Sequence, residues 1–284
     1  MTEQICDLHT HSNCSDGSLS PTELVAAAKE QGITALALTD HNTTKGLAEF
    51  IKAGEAYGVT AVPGCEFSTD YKKTELHIVG LFLPERSWPE VEEYVDALRR
   101  GKHDSNLLLI EKLQERGCDI TYDEVAALTD AAEFNRAHVA RVLQAKGYVH
   151  SLDQAFDTLL KPGNGCYFPA KRPIALQTIR FIRRIGGLAV LAHPFLNLDA
   201  AELKIFLPRA KAAGLTAMET RYSLFDETAT NDAAMLAKRF GLLPSGGSDF
   251  HGAAKPAIAI GTGRGNLCVP FSFYEALRDC LKTQ

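Results

Sequence analysis

The chain has 284 residues, 45% hydrophobic and 23% charged, with 22 glycines and 12 prolines. That composition excludes a collagenous, low-complexity or largely disordered chain, and the length suits one large α/β domain or two modest ones. A net charge of −5 argues against a non-specific nucleic-acid coat protein but leaves room for a small phosphorylated ligand in a locally positive site.

In chain order, Ile5–His11 reads as a strand. Pro21–Gln31 reads as a helix, with Ser20 as N-cap, Pro21 at the first helical position and Gly32 closing it. Ile33–Asp40 is a short apolar, β-branched run, and Thr44–Tyr57 is a helix ended by Gly58. Thr60–Phe67 and His77–Leu83 are the next strands. From about 100 to 170 the alternation breaks into helices at Arg99–Arg116, Asp123–Thr129, Ala137–Lys146 and Leu152–Leu160. That stretch reads as a helical insertion between two strands. After a further helix come strand Gly187–His193, helix Ala201–Ala213, strand Leu215–Arg221, helix Asp226–Phe240, strand Leu242–Asp249 and helix Ser272–Leu281. Seven strands with helices between most of them predict a parallel α/β fold. A closed barrel and an open doubly wound sheet both fit, and both put ligands at the carboxyl ends of the strands.

No stretch of roughly 18 apolar residues is present, so no membrane span is expected. The N-terminus has neither the basic nor the apolar region of a signal peptide. Seven scattered cysteines without a CxxC pair read as reduced thiols of a cytoplasmic chain.

The chemistry concentrates in short fragments. They are Asp-Leu-His-Thr-His-Ser at 7–12, Ser-Asp-Gly at 15–17, Thr-Asp-His-Asn at 39–42, Gly-Cys-Glu-Phe at 64–67, Glu-Leu-His at 75–77, Ala-His-Pro at 192–194 and Gly-Ser-Asp-Phe-His-Gly at 247–252. Six of the nine histidines fall there, at strand ends: His9, His11, His41, His77, His193 and His251. Asp16, Glu66 and Asp249 accompany them. His9 and His11 lie two apart on a strand, so their side chains leave the same face. A single strand-end histidine is ordinarily a satisfied polar group, but this set, drawn from separate segments, points to metal binding. Imidazole and carboxylate together suit Zn, Mn or Fe, and no cysteine joins them as a structural zinc ligand.

These motifs, in this order, resemble the PHP (polymerase and histidinol phosphatase) superfamily over 1–83 and about 171–284. The resemblance implies a distorted (β/α)7 TIM-like barrel, residues 1–99 and 170–284, with a helical insertion domain at 100–169. It implies a trinuclear centre of divalent ions, Mn²⁺ before Zn²⁺, Fe²⁺ or Mg²⁺. His9, His11, Glu66 and Asp249 would hold one ion; Glu66 would bridge to a second on His77 and His193; Asp16, His41 and His251 would hold the third. The insertion, with Asn-Arg-Ala-His at 135–138, resembles that of the 3′,5′-nucleoside bisphosphate phosphatases, some of whose relatives trim short nucleic acids from the 5′ end.

Charge supports phosphate as the substrate group. Three divalent ions outweigh the three carboxylates, and the surplus suits a phosphate dianion. A hydroxide bridging two metals is the expected nucleophile, with Asp249 as a candidate proton relay. Arg136, which can fork onto phosphate, is expected to hold the 5′-phosphate with Asn135, Lys171 and His103. The expected substrate is a small phosphorylated nucleotide, with short oligonucleotides as an alternative and no obligatory protein partner or membrane. Histidinol-phosphate phosphatase is a rival enzyme, and a metal-binding regulatory protein is the rival outside catalysis.

Overall fold

The computed structural model describes residues 4–129, 133–163 and 165–283. The chain forms two compact units, Met1–Glu92 with Pro173–Gln284, and Glu93–Arg172.

The first unit is built on seven strands: β1 (Ile5–Thr10), β2 (Ile33–Leu38), β3 (Thr60–Tyr71), β4 (Thr74–Leu81), β5 (Leu188–Leu191), β6 (Leu215–Tyr222) and β7 (Leu243–Gly247). They pair in sequence order. The two outer strands then meet: His11 N–H donates to Phe250 O at 2.9 Å and Asp249 N–H to His9 O at 2.8 Å. The sheet is therefore a nearly closed barrel. The open doubly wound alternative is removed.

The distorted barrel expected from the sequence departs from the parallel pattern at one strand. β4 runs antiparallel to both β3 and β5, while the remaining pairs are parallel. The physical reason is a two-residue turn. Lys72 and Lys73 both take positive φ, 52° and 69°, and Tyr71 pairs directly with Thr74. That is the backbone of a tight hairpin, made here without the Asn-Gly or Asp-Gly signal that announces one. It also makes β3 and β4 longer than their apolar runs suggest.

Helices cover the strands. In α1 (Pro21–Glu30), Ser20 and Glu23 form a reciprocal capping box. α2 (Leu47–Tyr57) starts later than expected, because the Thr44 N–H and hydroxyl are bonded to Glu92. α3 (Trp88–Glu115) starts earlier, with Pro89 in its first turn. In β2, Leu36 and Leu38 pack with Leu24, Val25, Leu47 and Phe50 of α1 and α2. Ala35 and Ala37, on the other face, pack with Val62, Val79, Leu188 and Val190. Alternation thus places small residues where strands converge and large ones under the helices.

The second unit has its own core. Leu109, Leu113, Ile120, Val125, Phe134, Val139 and Leu143 are buried together. Its helices include α4 (Tyr122–Ala126), α5 (Arg136–Ala145) and α6 (Leu152–Asp157). The barrel unit continues with α7 (Ala175–Arg184), α8 (Ala200–Ala213), α9 (Glu227–Arg239) and α10 (Phe271–Lys282). All seven cysteines are free, and among the described residues no helix is long and apolar enough to cross a membrane.

Candidate metal centre

The strand carboxyl ends gather the histidines. His9 lies in β1 with His11 just beyond it, His41 follows β2, Glu66 lies in β3, His193 follows β5, and Asp249 and His251 follow β7. His77 is near the start of β4, and because β4 is reversed that start opens at the same end of the barrel.

Glu66 is the hub. Its Oε2 lies 3.2 Å from His9 Nε2, 3.2 Å from His11 Nε2 and 3.1 Å from His41 Nδ1. Its Oε1 lies 2.8 Å from His77 Nδ1 and 3.0 Å from His193 Nε2. Asp249 Oδ1 stands 3.3 Å from His11 Nε2, and Asp16 Oδ1 stands 3.2 Å from His251 Nε2. Asp16 is delivered by a loop that Asp40 organises, accepting from Ser12 N–H, Ser12 Oγ and Ser15 Oγ. Gly17 is required there: a Cβ would come within 2.4 Å of His11 O.

The donors fit cations. His9 Nε2, His11 Nδ1 and Nε2, His41 Nδ1, His251 Nε2 and Glu66 Oε2 are buried with no hydrogen-bond partner. Buried polar atoms are nearly always satisfied, so a convergent group of orphans is a candidate ligand set. Three groupings have their donor atoms close enough to share an ion: His9, His11, Glu66 and Asp249; His11, Asp16, His41 and His251; and His41, Glu66 and His77. The first matches the set expected for one ion. The second contains the expected Asp16, His41 and His251 and adds His11. In the third His41 stands with Glu66 and His77, while His193 approaches Glu66 Oε1 from the far side.

Charge is distributed accordingly. Burial opposes ionisation of Glu66, but His9, His41 and His77 hold it well below the usual carboxylate range. Burial also opposes charge on His11, yet contacts to Asp249 and Glu66 lift it to about 9. His77 is lifted against burial to about 10 by Glu66 and Glu75. Burial keeps His41 neutral, lowering it to about 3.

Four neighbours carry no motif. Tyr222 Oη donates to Asp249 Oδ2 at 2.9 Å, and Lys255 Nζ reaches the same oxygen at 2.8 Å. Glu219, on β6, bonds His9 Nδ1 at 2.7 Å and accepts from the His193 N–H at 2.6 Å. Arg264 stands with Lys255 on the wall of a cleft of about 560 Å³ that opens over His41, Glu66, His77, His193 and Asp249. The only sequence signal for Glu219 is a carboxylate inside a strand in which every residue but Arg221 is buried.

The residues expected to hold a second phosphate lie in the second unit. Asn135 caps α5, its Oδ1 accepting from the N–H groups of Ala137 and His138. The Arg136 guanidinium stacks on Tyr167 and Phe156 and reaches Leu160 O. His103 meets Glu133 and Tyr122, and Lys171 is exposed. Among the described residues no contact joins Arg136 to His103 or Lys171.

Such a centre at the mouth of a barrel defines a metal-dependent hydrolase, and comparison with known proteins narrows the class. The PHP domain matches residues 7–161. A 5′-3′ exoribonuclease of Haemophilus influenzae is 35% identical over 86% of this chain and 89% of its own length. A 3′,5′-nucleoside bisphosphate phosphatase of Chromobacterium violaceum is 30% identical over 90% of both. A crystal structure of a C. violaceum amidohydrolase with bound sulfate and no metal superposes with a TM-score of 0.81, at 29% identity, over 96% of both chains. The chain belongs to the PHP domain family and is a metal-dependent phosphoesterase.

Proposed function

We propose that the enzyme hydrolyses the 3′-phosphate of nucleoside 3′,5′-bisphosphates. The observation that carries this reading is the cleft beside the centre. Its volume of about 560 Å³ is that of a small-molecule site, and it has a cationic and an apolar wall. Leu196 and Leu224, both exposed, offer a surface for a base, while Arg264 offers a fork for the phosphate that does not react. Among the described residues no carboxylate lies within 4 Å of the Arg264 guanidinium. The similarity to the C. violaceum phosphatase supports the same choice.

Divalent metals on the gathered donors would supply an activated water and positive charge opposite the phosphoryl oxygens. The chain's own residues do the rest. Asp249 turns Oδ1 toward His9 and His11 and keeps Oδ2 on Tyr222 and Lys255. It is the group through which a proton passes between the centre and Lys255. Lys255 Nζ lines the cleft and is the cation nearest this carboxylate.

A second reading is removal of nucleotides from the 5′ end of short RNA, favoured by the higher identity to the H. influenzae exoribonuclease. The two substrates share a nucleoside with its scissile phosphorus on the 3′ oxygen.

Phosphate or nucleotide release by Mn²⁺-loaded protein separates them. The panel is a 3′,5′-bisphosphate, a 5′-monophosphate, histidinol phosphate and a short 5′-phosphorylated oligoribonucleotide. Highest kcat/KM on the bisphosphate is expected. A higher value on the oligonucleotide installs the second reading, and turnover of histidinol phosphate alone removes both. Arg264→Ala should lower kcat/KM for the bisphosphate by roughly 10-fold and spare a 3′-monophosphate, as expected for loss of a charged hydrogen bond at an exposed arginine.

A further inference from the structure

We propose that Glu219 is a positioning residue that fixes the ring tautomer of His9 and the backbone of His193, and so presents two ligands to the centre. The inference rests on the metal-dependent reading above but concerns a residue outside the ligand groupings.

Glu219 is 1% exposed and sits in the carboxyl-terminal half of β6. Both of its oxygens are engaged. Oε1 lies 2.7 Å from His9 Nδ1, and Oε2 accepts the His193 N–H at 2.6 Å. A carboxylate only accepts, so His9 must carry a proton on Nδ1. Nε2 is then the nitrogen left for a cation: it is the orphaned atom that faces Glu66 Oε2 at 3.2 Å and Asp249 Oδ1 at 3.7 Å. The partner behind a metal-binding imidazole sets both its tautomer and its basicity.

His193 needs the second oxygen for a different reason. Its φ is +28°, a conformation L residues rarely adopt. The bond to Glu219 anchors its amide in that conformation, and the ring then reaches Glu66 Oε1 with Nε2 at 3.0 Å. One buried side chain on β6 thus braces a ligand from β1 and one following β5.

Glu219→Gln tests this, because glutamine keeps the size and changes only the bonding. Two N–H donors face the side chain, and an amide can accept from one while turning its NH₂ toward the other. Either the His193 amide loses its acceptor, or His9 moves its proton to Nε2 and closes its metal-binding atom. Two measurements are made on full-length protein: Zn²⁺ affinity by competition with a chelating dye, and His9 tautomer in the Zn²⁺-loaded protein by long-range ¹⁵N–¹H correlation. The expected result is a wild-type His9 protonated at Nδ1, and a variant whose tightest site is weakened roughly 10–100-fold. An unchanged affinity, or a lost affinity with the His9 and His193 signals unchanged, would overturn the assignment. So would Zn²⁺-loaded wild-type protein whose His9 lacks the Nδ1 proton, a readout that stands even if the variant does not fold. Wild-type protein that binds no divalent ion would instead sink the metal-dependent reading.

Discussion

At the scale of residues, the metal-free candidate centre holds protons on its histidines. His11 and His77 sit in the metal-free chain with pKa values of about 9 and about 10, raised against burial by their carboxylate neighbours. Unfolded histidine titrates near ~6.5. A folded pKa above that value gives stability that is complete below ~6.5 and is lost as pH rises through the folded pKa. Melting temperatures of the metal-free protein should therefore fall between pH 7 and 10. Zinc or manganese binding at pH 7.5 must displace these protons, so its calorimetric heat should vary with the ionisation enthalpy of the buffer. A heat independent of buffer would show that the histidines are already neutral. His9→Ala and Asp249→Ala should each remove at least one ion per chain by elemental analysis, and turnover with it. The nine residues gathered at the barrel mouth were legible in the sequence because they stand in short fragments at strand ends. Glu219, Tyr222 and Lys255 were not, because an isolated Glu, Tyr or Lys carries no spacing signal.

At the scale of elements, the seam between β1 and β7 is closely packed. A Cβ on Gly247 would lie 2.4 Å from His9 Cβ and 2.5 Å from His9 N, both on a strand that cannot yield locally. Gly247→Ala should cost about 1–3 kcal/mol in denaturant unfolding, as overpacking does. It should also weaken metal binding, because relief comes only by moving His9. Retention of wild-type stability would mean that the seam opens freely. The strands themselves were legible from apolar runs and their punctuation by Gly32, Gly58 and Pro21. The direction of β4 was not. It depends on Lys72 and Lys73 accepting positive φ, which pairing of β3 with β4 enforces and local sequence does not suggest.

At the scale of the whole molecule, two cores share one chain. The helical unit was legible as a break in alternation, although α3 begins at Trp88, ahead of the apolar pattern that suggested its start. Cysteine chemistry follows from the same packing. Cys6, Cys65, Cys118 and Cys166 are buried and Cys268 is exposed. Burial pushes the Cys6 thiol up to about 12, which keeps it protonated and unreactive. Thiol titration under denaturing, non-reducing conditions should find close to seven groups, and native protein should react first at Cys268. Two or more stable disulfides would contradict the structure.

The β1–β7 seam also orders events in time. During synthesis His9, His11, Asp16, His41, Glu66 and His77 leave the ribosome first, and the whole helical unit follows before His193, Asp249 and His251. A nascent chain therefore carries a partial donor set, without the Asp249 amide that docks on His9 O. Such a set lacks the fixed geometry that discriminates between ions. Selection of the metal falls to the finished barrel and to the ions around it after release. A chain stopped early, even just after β7, would keep most of the donors and lack the seam that arranges them.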